Sequence, residues 1–276
     1  MSQRIITLIG YLLYRFATSL MGAGYIAITI AYYMVAFRVE TPEPDYYILV
    51  IALFGSLMTF LVGLTLSSKA NEASNYPILV RLNSRTEYLV AILTTTLLVS
   101  FLLQLSLAAV ALVRNAPVLS IQQAVEIPPI WLSLNILFGV LSLHASDFVV
   151  RGWSRVWLFG LLAIFLVGAD SSGAVMEWLA DRAQQAGSWA YQSGSAYDGE
   201  FFQTAANWLS VDGIEPVQSF FGLIFWPFRA VINGTIEGSF TRSEALGPGT
   251  LLLYATILFM LAADFFATKD IYLTEE

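Results

Sequence analysis

Catalysis and metal binding need particular side chains at particular spacings, and the 276 residues of this chain hold few of them. Cysteine is absent, which excludes disulfides, thiolate metal sites and Cys nucleophiles. A single histidine, His144, rules out a bis-His haem and a multi-His zinc centre within the chain, and the His-Glu-x-x-His pattern of zinc peptidases is missing. A phosphate-cradling loop needs Gly-Lys-Ser/Thr after a glycine turn. The two lysines, Lys69 and Lys269, do not follow glycine, so ATP is not bound by that route. Ser171 and Ser172, with His144 as base, are the one candidate for a nucleophilic pair. Such a pair must lie within hydrogen-bond reach. The two sets fall at opposite ends of successive apolar segments, some 20 Å or more apart judged from helix rise. Helix caps and a satisfied lone histidine explain them better. No enzyme, metal or cofactor is expected.

Ionisable residues inside apolar segments are functional candidates by default. Asp147 and Arg151 stand at i, i+4 in the favourable order, with His144 one turn deeper. A local ion pair that anchors a helix end is one reading; transport or gating is the other. Gln104, in the middle of an apolar run, either bonds a neighbouring helix or lines a pathway. Asp170 and Asp264 fall near segment ends and read as solvated. The segment centres are nearly free of carboxylates, which argues against a proton relay.

The elements that must carry these residues follow from composition. Hydrophobic residues make up 57% of the chain and charged residues 12%, with mean hydropathy +0.70. A soluble domain carries about 25% charge, so an integral membrane protein is expected. The net charge of −7 argues against a nucleic-acid partner. A crossing helix needs roughly 20 mainly apolar residues. Six segments qualify, at about Phe16–Phe37, Tyr46–Leu66, Tyr88–Val113, Pro128–Val150, Ser154–Ser171 and Thr250–Ala267. Their continuity and Leu, Ile and Ala content favour helices over the alternating strands of a barrel. The first is too long in its apolar part for a cleavable signal. Before it, Ile5, Leu8, Ile9 and Leu12 at i, i+3, i+4 and i+7, bracketed by Arg4 and Arg15, predict an interfacial helix on lipid. The expected fold is an all-α membrane domain of six spans.

Orientation follows basic residues in the short connections. With the N-terminus inside, Arg4, Arg15, Lys69, Arg81, Arg85, Arg151, Arg155 and Lys269 are inside, and only Arg38 and Arg114 lie in the short outer loops. Both termini are therefore expected in the cytoplasm of a cell-membrane protein. The outer region 172–249 is too long for an unstructured loop. Phe201, Ala205, Trp208 and Leu209 share a helical face there, and Trp178, Trp189 and Trp208 suit a membrane interface. Phe220–Phe228, about 14 Å as helix and closed by Pro227 and Arg229, is expected to dip into the outer leaflet and return.

The inner loop Ser67–Glu87 carries Pro77 at a helix start, then Ile78, Leu79 and Leu82 among Arg81 and Arg85. It reads either as a docking surface or as an ordinary basic inner loop. The stretch Arg81-Leu-Asn-Ser-Arg-Thr-Glu-Tyr-Leu89 resembles the P-x-S-R-x-E-Y/F-L segment of ABC-2-type permeases, the membrane subunits of ABC exporters. The tail Phe265-Phe-Ala-Thr-Lys-Asp-Ile271 resembles their ending, and the six-span layout is similar to theirs. Where that family commonly has an Arg/Glu cluster and a Gly-Thr turn, this chain has Lys69, Glu72 and Asn75. The resemblance implies a non-enzymatic permease subunit, paired with a second copy or paralogue in membrane lipid and driven by a separate cytoplasmic ATPase. Pro77, Ile78, Leu79, Arg81, Leu82, Arg85 and Glu87 would form the coupling loop. The alternative is an accessory structural subunit of a membrane complex. The charge bias predicts that a topology reporter fused at Glu276 signals from the cytoplasm and one inserted near Asp198 from outside; the opposite result at either position refutes the six-span arrangement.

Overall fold

A computed structural model describes residues 2–37, 43–72, 75, 78, 84–114, 117–147, 149, 156, 159–160, 177–212, 214–237 and 240–268. Among the described residues the chain is all-helical, without a strand. It forms two compact units, Met1–Arg155 with Pro227–Glu276, and Val156–Trp226. The larger unit contains α1 (Ser2–Ala17), α2 (Leu20–Ala36), α3 (Pro44–Ala70), α4 (Arg85–Arg114) and α5 (Ile121–Ala145). The smaller unit contains α6 (Ala196–Asn207). Helix α7 (Ile214–Ile236) runs from the smaller unit into the larger, and α8 (Gly247–Thr268) belongs to the larger.

Among the described residues four stretches are long and apolar enough to cross a membrane: Pro44–Ala70, Arg85–Arg114, Ile121–Ala145 and Glu244–Thr268. They correspond to the second, third, fourth and sixth expected spans. The bent pair formed by α1 and α2 makes a fifth if counted as one span. The expected fifth segment, Ser154–Ser171, lies outside the described residues except for 156, 159 and 160, which are helical.

The first expected span begins later than its apolar run. The α1 helix continues to Ala17, and the axis then turns by 70° into α2. Ser19 is extended (φ −89°, ψ 152°) and caps α2 by accepting the Gly22 N–H at 3.2 Å. A Cβ at position 22 would collide with the Phe16 carbonyl, so the tight bend requires glycine. The periodicity read in α1 is real: Leu8 and Leu12 are buried, with Phe16 extending the stripe, and α1 packs on α4.

Helix α5 also departs from its expected limits. It starts at Ile121 under a capping box, Ser120 accepting from Gln123 N and the Gln123 side chain accepting from Ser120 N. It continues through Pro128 and Pro129 and ends at Ala145, because Ser146 turns extended (φ −84°, ψ 142°). The Ser-x-x-Gln start signal thus outweighs the two prolines. Helix α7 likewise runs through Pro227 for 23 residues, about 34 Å. The nine-residue run that was expected to stop at Pro227 is the middle of a continuous helix.

Helix α3 lies at the centre, packed on α4 and α5, while α8 packs on α5. Bulky Tyr47, Phe54 and Met58 are buried on α3, Tyr47 against α4 through Ala108 O and Phe54 against Tyr32 of α2. A Cβ at Gly63 would strike the Ser142 side chain on α5, and one at Gly139 would lie 3.3 Å from Thr59 and 3.0 Å from Leu93. In lipid, helices associate through such close contacts because hydrocarbon gives no hydrophobic drive.

In the smaller unit, residues 177–192 form a helix that turns back through Gly194 (φ +88°) into α6. Ser195 N–H bonds Ala190 O at 3.0 Å and Gly194 N–H bonds Tyr191 O at 3.2 Å, the paired bonds of a glycine-terminated helix end. Ala180, Gly187 and Ala190 are buried on one helix and Gly199 and Ala206 on the other. Trp178, Trp189, Tyr197, Phe201 and Trp208 are exposed.

Substituting Gly63→Ala overpacks the α3–α5 contact and is expected to lower stability by about 1–3 kcal/mol. Adding Ser142→Gly should restore part of the loss. Thermal unfolding in detergent measures both, and a neutral single variant contradicts the close approach.

Candidate functional site

The expected coupling loop begins where α3 ends. Asn75 is buried and donates from Nδ2 to Lys69 O at 2.7 Å, folding the chain back on the last turn of α3. Arg15, near the end of α1, donates from Nη1 to Asn75 Oδ1 at 3.3 Å and lies 3.8 Å from Glu72 Oε2 through Nη2. Its guanidinium also bonds Tyr11 Oη at 3.2 Å and sits 5.7 Å from the centre of that ring. The Arg15 and Glu72 side chains are 40% and 45% exposed, so the ion pair contributes at most about 1 kcal/mol. The buried Asn75 carboxamide does more to hold α1 to this segment.

The far side of the loop begins α4. Ser84 Oγ accepts the Thr86 N–H at 3.2 Å, and Glu87 stands three residues after Ser84 in the first turn. Ser-Arg-x-Glu is therefore a helix start: a hydroxyl cap, with an acidic residue at the positive end of the helix. Arg85 Nη1 donates to Phe266 O at 3.4 Å and Ala267 O at 3.3 Å. These are among the last carbonyls of α8, which have no partner within their own helix. A cation there satisfies them and opposes the negative end of the dipole. Glu87 is 5% exposed, and its Oε2 has no hydrogen-bond partner among the described residues. The two ends of the loop thus grip two different helices, Arg15 of α1 on one side and the end of α8 on the other.

The other sequence candidates are described only in part. Ile78 is helical and half-buried. Pro77, Leu79, Arg81, Leu82 and Arg151 lie outside the described residues. Asp147 is exposed in a turn beyond the end of α5, so the i, i+4 helical geometry expected for it and Arg151 has no helix under it at Asp147. His144 is fully buried. Its Nε2 lies 2.8 Å from Leu258 O and its ring meets Phe265 edge-on at 6.4 Å. Because a carbonyl only accepts, Nε2 carries the proton and Nδ1 is left as an acceptor, without a partner among the described residues. His144 therefore ties α5 to α8.

Of the two roles open to Gln104, the structure realises the bond between helices. Its Nε2 donates to Ile51 O of α3 at 3.1 Å, and its Oε1 accepts from Asn135 Nδ2 of α5 at 2.6 Å. All three positions are fully buried. Gly55 makes room, since a Cβ there would collide with the Gln104 carboxamide. Along α4 the pair is about 28 Å from Arg85, and along α5 about 14 Å from His144. These residues form separate struts between helices, not one lined path. No group of three or more His, Asp or Glu able to hold a metal occurs among the described residues.

Sequence reasoning missed Asn135, Gly55 and the Arg15–Asn75 bond. Asn135 had a readable signal, a second carboxamide within an apolar run. The pairing of Arg15 with Asn75 had none, because nothing local in either segment specifies the other.

The class established by this architecture is a helical chain with, among the described residues, four or five stretches able to cross a membrane. Comparison with known proteins adds no narrower name: no family model, curated protein or solved structure matches the chain.

Gln104→Leu leaves the buried Asn135 amide without its acceptor and is expected to cost about 1–3 kcal/mol. Replacing both residues by Leu should recover most of that loss in detergent unfolding. A double variant as unstable as the single would show that the pair is not the unit described.

Proposed function

We propose that the chain is a permease subunit of an ABC exporter of the ABC-2 type, with six crossings, both termini in the cytoplasm, and the outer region 172–249 set against the outer leaflet. The observation that carries this reading is the double anchorage of the loop between α3 and α4. A soluble partner that moves the loop pulls α1 through Arg15–Asn75 and α8 through Arg85 with the Phe266 and Ala267 carbonyls. A separate cytoplasmic ATPase would dock on Pro77, Ile78, Leu79, Arg81 and Leu82. Its closure would bind one disposition of the loop better than the other, which is the differential contact that a conformational cycle requires. Two copies, or one copy and a paralogue, would enclose the pathway. The chain itself performs no chemistry.

One observation favours a second reading, an accessory structural subunit. Gln104, Asn135 and His144 are spent on bonds between helices. A scaffold needs nothing more.

Replacing Leu79 and Leu82 together by Asp separates the readings. Each would bury a charge in the ATPase groove, and a loss of about 3 kcal/mol weakens association more than a hundredfold. Wild-type protein purified from its membrane is expected to bring down a soluble ATPase and the variant to lose it, with unfolding temperature unchanged. Retention of the ATPase by the variant refutes the docking loop. Recovery of other membrane subunits and no ATPase with the wild type establishes the scaffold.

A further inference from the structure

Two buried polar atoms in the middle of α5 have no hydrogen-bond partner among the described residues: the indole Nε1 of Trp131 and the carboxamide Oδ1 of Asn135. Trp131 is 6% exposed and Asn135 is fully buried. Four residues apart on one helix, they share a face with Cβ atoms about 5–6 Å apart. Their chemistry is opposite: an indole N–H only donates and a carboxamide oxygen only accepts. Asn135 is held elsewhere. Its Nδ2 donates to Gln104 Oε1 at 2.6 Å, and Gln104 Nε2 is fixed in turn to Ile51 O at 3.1 Å. The Asn135 oxygen is therefore not free to turn onto the indole. Along α5 each of the two residues lies about 15 Å from one end of the helix and about 21 Å from the other. At that depth the surrounding hydrocarbon offers neither group a partner.

We infer that Trp131 and Asn135 hold one buried water molecule, which accepts from Trp131 Nε1 and donates to Asn135 Oδ1. The ligand must accept and donate at once, which excludes an alkyl chain. It must be neutral, because a charged ligand would find no counter-charge. Among the described residues Glu87 is the one charged side chain that is buried, and it lies about 26 Å along α4 from Gln104. It must also be small, since it sits between side chains one helical turn apart. Two hydrogen bonds of about 2.9 Å each cover that span. Water meets all three conditions, and buried water commonly satisfies such groups in folded proteins. It extends the Gln104–Asn135 bond into a chain from Ile51 O on α3, through Gln104 on α4, to Asn135 and Trp131 on α5. The inference does not rest on the exporter reading.

The test is solid-state NMR of the full-length protein in lipid bilayers, with isotope-labelled tryptophan and asparagine and with magnetisation started on water protons. The Trp131 indole signal is identified by its loss in Trp131→Phe, which keeps an aromatic ring at the position. Transfer from water to Trp131 Hε1 is expected at mixing times that also show the exposed Trp178 and Trp189. The same transfer should reach the Asn135 carboxamide, which tests the bridge without a substitution. Changing Gln104 and Asn135 together to Leu removes the acceptor and should abolish transfer to Trp131, while Trp178 and Trp189 keep theirs. Absence of transfer to Trp131 in the wild type overturns the site, whether the indole proton is free or bonded to another group. Transfer to Trp131 without transfer to Asn135, or transfer to Trp131 that survives in the double variant, overturns the bridge.

Discussion

Close approach of the α3 backbone to side chains of its neighbours is the constraint on which the rest of the larger unit depends. Hydrocarbon solvates one apolar helix as well as another, so association needs short contacts and satisfied polar groups. Gly55 and Gly63 sit on α3, the helix packed most extensively on α4 and α5. At Gly63 the absent side chain admits Ser142. At Gly55 it admits the Gln104 carboxamide, which then reaches Ile51 O and Asn135. A larger residue at either position would separate the helices and leave buried amides with no water to turn to.

The ends of the bundle are held by different means. Arg15, Asn75 and Glu72 bind α1 to the segment after α3, and Arg85 binds the end of α8. These bonds are partly exposed and individually weak, which suits parts that move, whereas the buried Gln104–Asn135 and His144–Leu258 bonds suit parts that do not. The larger unit is thus held by buried polar bonds in its interior and by part-exposed ones beside the loop between α3 and α4. The α2–α4 contact differs from both: small Thr29 and Ser106 are not met by large partners, and a groove remains.

In the smaller unit, alanine and glycine are buried between the helix 177–192 and α6, where the Tyr191 ring lies against Gly199, while Trp178, Trp189, Tyr197 and Phe201 are exposed. Of the face expected at Phe201, Ala205, Trp208 and Leu209, the first two lie on α6 and the last two on a π-helical turn, Trp208–Asp212, with Phe201 and Trp208 exposed. The end expected at Pro227 is not there: the helix runs on to Ile236, because proline within a helix removes one hydrogen bond and does not by itself end the helix.

Composition and apolar runs determined by themselves that the chain is helical and suited to a membrane, and located four of its long helices, because a run of apolar residues has few other stable dispositions. The α1 stripe of Leu8 and Leu12 was equally local and equally legible. Boundaries were less so: Ser19 and Ser146 are ordinary polar residues until their backbone turns, and the prolines of α5 and α7 obscured helices that continue through them. Only tertiary structure decided what the polar residues do. Gln104 meets Asn135 across 31 positions, Arg15 meets Asn75 across 60, and Arg85 meets Phe266 across 181. Periodicity reports which face of a helix is apolar, but it holds no information about which helix that face will meet.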